Sequence, residues 1–280
     1  MRLCLLLLMM VLSVYALAAD SLLVYAGSAS QPAAEEIAKL FEEEYGVHVD
    51  LIFGGSGYVL SQMMISKRGD VYFPGSSDYM ELAKSKGVVF PETEKRIVYL
   101  VPAIVVQRGN PKQIRNLTDL LRPDVRIAIA DPETVCIGLY AVEILEKALK
   151  PNELERFRNK LLNYIGSCAK TVAAISLKQV DAVIGWRVFE HWDPERVEAI
   201  PLSADQVQRV GYIPAAVSVF TKKRKLAELF VEFLASDKSK EVFRKYGYFT
   251  TPEEAFAYVG SAKPVGGVYE ADLKEWVSGK

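Results

Sequence analysis

Cysteine and histidine are scarce in this chain: three Cys and two His among 280 residues. Three cysteines are too few for a disulfide framework. The two histidines, His48 and His191, fit neither a Ser–His–Asp arrangement nor the ligand spacing of a zinc site. A charge excess is missing too, with 34 Lys plus Arg against 35 Asp plus Glu and a formal charge of −1. A general nucleic-acid binder would carry a strong basic surplus, so that class is excluded, whereas a local site for a small anion is not. Internal repeats and low-complexity tracts are absent. The glycine-rich Gly54-Gly-Ser-Gly57 lacks the Lys of a phosphate-binding P-loop and the spacing of a dinucleotide fingerprint.

What remains is ordinary globular material, 50% hydrophobic and 25% charged. The length suits one large domain or two lobes that each bury a core. One end differs. Arg2 precedes an apolar run from Leu3 to Leu17, and the small residues Ala16, Ala18 and Ala19 follow. That order predicts a secretory leader over residues 1–19, cleaved after Ala18 or Ala19, because the run is short for a membrane span. Its loss removes Arg2 and Cys4 and leaves a near-neutral exported chain with Cys136 and Cys168.

Strand-like and helix-like segments then alternate. Short apolar runs at Leu22–Ala26, Val47–Phe53, Asp70–Phe73, Arg126–Ala130, Ala182–Trp186 and Ile213–Thr221 read as strands. Amphipathic stretches after most of them read as helices, and Ile97–Gln107 is the longest β-rich run. The alternation predicts an α/β protein with ligands at the carboxyl ends of its strands.

Four segments share one design, in which a strand ends, small or hydroxyl residues follow and a helix begins. They are Gly27-Ser28-Ala29-Ser30, Gly54-Gly55-Ser56-Gly57, Val135-Cys136-Ile137-Gly138 and Gly166-Ser167-Cys168-Ala169. Each presents backbone N–H groups at the positive end of a helix, a ready place for an anion. Each serine is also explained as a simple helix N-cap.

Together with Gly69-Asp-Val-Tyr72, Asp131-Pro-Glu-Thr-Val-Cys-Ile-Gly-Leu-Tyr-Ala141, Asp181-Ala-Val-Ile-Gly-Trp186 and the stretch from Phe230 to Gly247, these loops resemble the molybdate/tungstate-binding proteins of ABC importers. The resemblance covers Leu22 to Gly247. It implies the two-lobed periplasmic-binding-protein fold, with two mixed sheets flanked by helices and a ligand cleft between the lobes. Residues 20–102 plus 213–280 are expected in the first lobe and 103–212 in the second, with exchanges of the chain near 101–103 and 211–213. It further implies an exported monomer, in the periplasm or on the outer side of the membrane, without cofactor, that delivers molybdate or tungstate to a permease; sulfate and other tetrahedral oxyanions are the alternative cargo.

Carried over by position, the ligand set is Ser28 and Ser30 from the first loop and Ser56 from the second, with backbone N–H groups of Ile137 and Cys168. Trp186 stands where the family has a tyrosine, and Cys136 where it has a proline. Because both cysteine loops would face the cleft of an exported protein, a Cys136–Cys168 disulfide is expected. Two separate buried thiols, or a nucleophilic Cys in an exported enzyme, are the alternatives, and no base for the latter is evident. Arg187 is a candidate to add charge to the site, or else a solvated surface residue.

Overall fold

The computed structural model describes residues 20–277; the expected leader and the last three residues lie outside the described residues. The first sheet begins with β1 (Ser21–Gly27), β2 (His48–Gly54) and β3 (Val71–Phe73), which pair in parallel around β1. Three helices connect or follow them: α1 (Gln31–Tyr45), α2 (Ser56–Ser66) and α3 (Ser77–Ser85). The apolar run at 97–107 is not one strand. It splits at Val101 into β4 (Lys95–Leu100) and β5 (Pro102–Gln107), which belong to different sheets.

The second sheet repeats the pattern with β6 (Ile127–Ala130), β7 (Leu161–Ile165), β8 (Ala182–Trp186) and β9 (Val197–Pro201). Helices α4 (Cys136–Ala148), α5 (Pro151–Lys160), α6 (Cys168–Ser176) and α7 (Phe189–Trp192) join these strands. The chain then returns through residues 202–210 to β10 (Gly211–Val217), α8 (Arg224–Ala235) and α9 (Asp237–Lys245), and ends in α10 (Pro252–Val259) and α11 (Lys274–Val277).

Strand orders are β2-β1-β3-β10-β4 and β7-β6-β8-β5-β9. In each sheet three parallel strands meet one antiparallel strand that has just crossed from the other, β10 in the first and β5 in the second. Each lobe therefore depends on chain supplied through the other, and two crossings of the chain connect them. The inner parallel strands β1, β3, β6 and β8 are covered on both faces, which is why they read as continuous apolar runs, whereas the edge strands β2 and β7 keep exposed positions.

The segment after Gly247, expected with the first lobe, reaches the second. Ala255, Val259 and Trp276 join the buried cluster of Ile104, Ile129 and Leu145. Tyr269 and Trp276 both donate hydrogen bonds to the Glu146 carboxylate on α4. Sequence offered no sign of this because the segment has no long amphipathic helix to betray a partner.

Candidate ligand-binding site

All four loops of the shared design lie at carboxyl ends of parallel strands, as the topology requires. Two come from the first lobe, after β1 and β2; two from the second, after β6 and β7. They meet. The Ser28 hydroxyl accepts a hydrogen bond from the Cys168 N–H at 3.0 Å, and the Gly57 N–H donates to the Thr134 carbonyl at 2.9 Å, both across the lobes. Ser28, Ser56, Ile137, Cys136 and Cys168 are all buried, and one apolar cluster runs without interruption from the first lobe into the second. The lobes are closed.

Close approach is built into the backbone. A Cβ placed on Gly55 would stand 2.6 Å from the Thr134 carbonyl, and one on Gly75 would stand 2.6 Å from the Cys136 sulfur and 2.7 Å from the Ala29 Cβ. Only glycine lets the opposing loops come this near.

Each expected ligand has a definite place. Ser56 opens α2, and its hydroxyl accepts the Gly75 N–H at 2.9 Å. Ser28 and Ser56 thus each accept a backbone N–H and keep their own hydrogen to give; an accepted bond polarises the hydroxyl and strengthens it as a donor. Ser30 is different, because its hydroxyl donates to the Gly27 carbonyl of its own turn at 3.2 Å. Ile137 is the second residue of α4, so its N–H lies in the first turn, where helices have no acceptor of their own. Neither Ser28 nor Ser56 makes a side-chain cap to its own helix, so the capping explanation does not account for them.

Trp186 ends β8, is wholly buried and packs edge-on against Tyr140 with ring centroids 4.7 Å apart. Its indole N–H has no hydrogen-bond partner, and neither do the hydroxyls of Tyr140, Tyr79 and Ser76, all buried. Such groups cost roughly 1–3 kcal/mol each when unpaired, so a cluster of them in one region marks a place where a polar guest is stabilised. Tyr79 touches the second loop at Gly57, and Tyr140 lies one helical turn beyond Cys136.

Two more tyrosines brace the site. Tyr72 donates to the Ser56 carbonyl at 3.0 Å and Tyr248 to the Ala29 carbonyl at 2.6 Å. Burial pushes the hydroxyls of Tyr72, Tyr79, Tyr140 and Tyr248 well above the usual phenol range, and charge on the neighbouring thiols would push them further. Burial does the same to the Cys168 thiol. The site is therefore a set of neutral donors with no titrating partner near neutral pH among these five groups.

Two expectations need correcting. Cys136 and Cys168 form no disulfide: both are free, with sulfurs 4.0 Å apart in hydrogen-bond contact, about twice the ~2.05 Å of a covalent S–S bond. The loops do face each other as expected, but the helix starts that carry the thiols hold the sulfurs at van der Waals range. Arg187 is neither solvated nor in the cleft. It donates to the Gly247 carbonyl and lies over the rings of Phe249 and Tyr258, at 4.5 and 5.1 Å.

Residues without any sequence signal also matter. Arg209, in the returning crossover, is buried between Asp78 of the first lobe and Glu143 of the second. Asp78 and Glu143 read in sequence as ordinary polar helix positions. Histidines take no part: His48 is an exposed partner of Glu42 and Asp50. Among the described residues no group of three His, Cys, Asp or Glu side chains gathers as a metal site, and no helix is long and apolar enough to cross a membrane.

Two α/β lobes, joined by two crossings and closed on donors from four strand-end loops, define a cleft-type solute-binding protein. Residues 22–249 match the family of bacterial extracellular solute-binding proteins, and the chain belongs to that family, one of ABC-importer binding proteins and not of enzymes. It is 26% identical to the molybdate-binding protein ModA of Rhodobacter capsulatus over 87% of this chain and 93% of that protein. Its fold is similar to that of the periplasmic molybdate-binding protein of Azotobacter vinelandii, with a TM-score of 0.71 and 17% identity, covering 82% of this chain and 99% of the other. It is equally similar to that of the sulfate-binding protein SubI of Mycobacterium tuberculosis, with a TM-score of 0.72 and 18% identity over 88% and 93%.

Proposed function

We propose that this protein, exported by its leader, captures a tetrahedral oxyanion in the cleft and hands it to an ABC permease, with molybdate or tungstate as the cargo. The observation that carries the reading is the meeting of Ser28 and Cys168 across the lobes, which joins two helix N-termini of opposite lobes at one buried point. An anion there takes the hydroxyl hydrogens of Ser28 and Ser56 and the backbone N–H of Ile137, and takes the Cys168 N–H in exchange for its bond to Ser28. The buried donors of Trp186 and Tyr140 lie on the α4 side of the same closed region. Neutral donors suit a dianion that must later be released, because they stabilise charge by oriented dipoles in a water-free space without the permanence of an ion pair. Closure by rotation about Val101 and residues 202–210 would bring the four loops together and release would reverse it.

Sulfate is the second reading, favoured by the likeness to SubI and by a site whose donors are indifferent to the central atom. A thermal-shift panel of molybdate, tungstate, sulfate and phosphate against the mature chain separates the readings. Stabilisation by molybdate and tungstate above sulfate supports the first; stabilisation by sulfate alone replaces it with the second.

A further inference from the structure

The oxyanion reading leaves two side chains at the centre of the site unused. Cys136 and Cys168 are free thiols, each 1% exposed, with sulfurs 4.0 Å apart. They open α4 and α6, helices of 13 and 9 residues, so both residues sit at positive helix ends, whose dipoles stabilise the negative charge of a metal–thiolate unit, while burial keeps the metal-free Cys168 thiol protonated. The α6 start is fixed by Ser167, whose hydroxyl accepts the Lys170 N–H at 3.2 Å. The Cys136 sulfur lies against Gly75 of the opposite lobe, 2.6 Å from where a Cβ on that residue would stand, and the Ser28 oxygen stands against Cys168, accepting its N–H at 3.0 Å.

We infer that this thiol pair is a binding site for a soft monovalent metal ion of the copper(I) class, bridged between the two sulfurs with the Ser28 oxygen as third neighbour. Geometry supports it. With a metal–thiolate bond of about 2.3 Å, sulfurs 4.0 Å apart subtend an angle of about 120° at the metal. That is a trigonal site, with one position for an oxygen. Donor chemistry supports it as well. Two thiols with no histidine or carboxylate gathered beside them do not make the four-ligand shell of zinc or the oxygen cage of a hard cation, whereas low-coordinate sulfur ligation suits a soft ion.

Charge is consistent too. Binding replaces two S–H bonds by two metal–sulfur bonds and releases both protons to water, with no electron transferred. The complex of one monovalent cation with two thiolates carries a single negative charge, so the helix ends that would hold an oxyanion also stabilise it. The inference stands apart from the oxyanion reading, since it needs only the thiol pair and the closed loops.

The test is an anaerobic titration of the mature, phosphine-reduced chain with copper(I) in competition with a chromogenic chelator, followed by X-ray absorption of the complex. One ion per chain, two sulfurs at about 2.3 Å and protection of both thiols from alkylation are expected. Cys136→Ser and Cys168→Ser should each weaken binding by more than about 100-fold, and Ser28→Ala by about tenfold. Stoichiometry above one, a single sulfur in the shell, or affinity indifferent to either cysteine substitution would overturn the inference. Molybdate binding by the Cys136→Ser variant is measured alongside. Its survival while copper(I) binding is lost assigns the thiols to the metal alone, and copper(I) binding by a wild-type chain that ignores every oxyanion leaves this site standing without the transport reading.

Discussion

Replacing Arg209 by Met should destabilise the protein more than any other single change outside the apolar core. The guanidinium side chain is 6% exposed, between an Asp78 side chain at 4% and a Glu143 side chain at 6%. It gives two hydrogen bonds to Asp78 at 2.9 and 3.1 Å, one to Glu143 at 2.7 Å and one to the Gly267 carbonyl at 2.7 Å. It also lies 3.9 Å above the Tyr140 ring. Methionine fills most of the volume but leaves two carboxylates behind. Glu143 keeps Lys147 at 2.9 Å, at the edge of solvent, and Asp78 keeps only the backbone N–H of Tyr269 at 3.2 Å. Removing one partner of a buried ion pair costs about 3–5 kcal/mol, mostly as the penalty of the charge left unpaired. For a chain of this size that is a fall of roughly 10 °C in melting temperature. Urea unfolding of Arg209→Met, alone and with Asp78→Asn and Glu143→Gln, reads the effect. The single variant should lose about 3–5 kcal/mol, and the triple variant should recover most of it, because neutral amides remove the unpaired charge. A loss below about 1 kcal/mol in the single variant, or no recovery in the triple, would refute the reasoning that this crossover is locked by charge.

Other consequences follow from the same contacts. Ser56→Ala strips the acceptor from the buried Gly75 N–H at 2.9 Å and should cost about 1–3 kcal/mol in urea unfolding, with oxyanion affinity falling at least about tenfold by calorimetry. Gly75→Ala drives a methyl into the Cys136 sulfur, so small-angle scattering should show an expanded, open chain in which added oxyanion restores less compaction than in wild type. Burial raises the Asp181 carboxyl, but the side chain and backbone N–H of Arg126 outweigh it and hold it below the ordinary range. A depressed carboxylate stabilises the fold above its unfolded value and loses that contribution as pH falls through the folded one, so Asp181→Asn should flatten the acid limb of a stability–pH curve below about pH 4. Because burial holds Tyr72, Tyr79, Tyr140, Tyr248 and Cys168 protonated, oxyanion affinity should be flat between about pH 5.5 and 7.5; a change above about threefold in that window contradicts a neutral-donor site.

Much of the architecture was readable from local pattern. Runs such as Leu22–Ala26 and Ala182–Trp186 are strands because both faces are covered, and the small residues after them open helices that start at Gln31, Ser56, Cys136 and Cys168. Local pattern fails where tertiary placement decides. The run at 97–107 looks continuous because both halves are buried, yet Val101 passes it from one sheet to another. Leu161–Ile165 has two exposed residues at an edge and carries too weak a pattern to read as β7. The disulfide expectation failed for a related reason: spacing along the chain puts two thiols in one cleft but says nothing of the last 2 Å between them. Asp78, Glu143 and Arg209 were invisible because a buried charge looks like a surface charge until its partners are known.

The central claim is that loops of both lobes converge on one oxyanion. Isothermal calorimetry of molybdate with the reduced mature chain and with its Ser28→Ala/Ser56→Ala variant tests it most directly. The account predicts one molybdate per wild-type chain and an affinity reduced by at least about 100-fold in a variant that still unfolds cooperatively. Equal affinity in the two proteins, or no heat from molybdate, tungstate or sulfate with the wild-type chain, would contradict it.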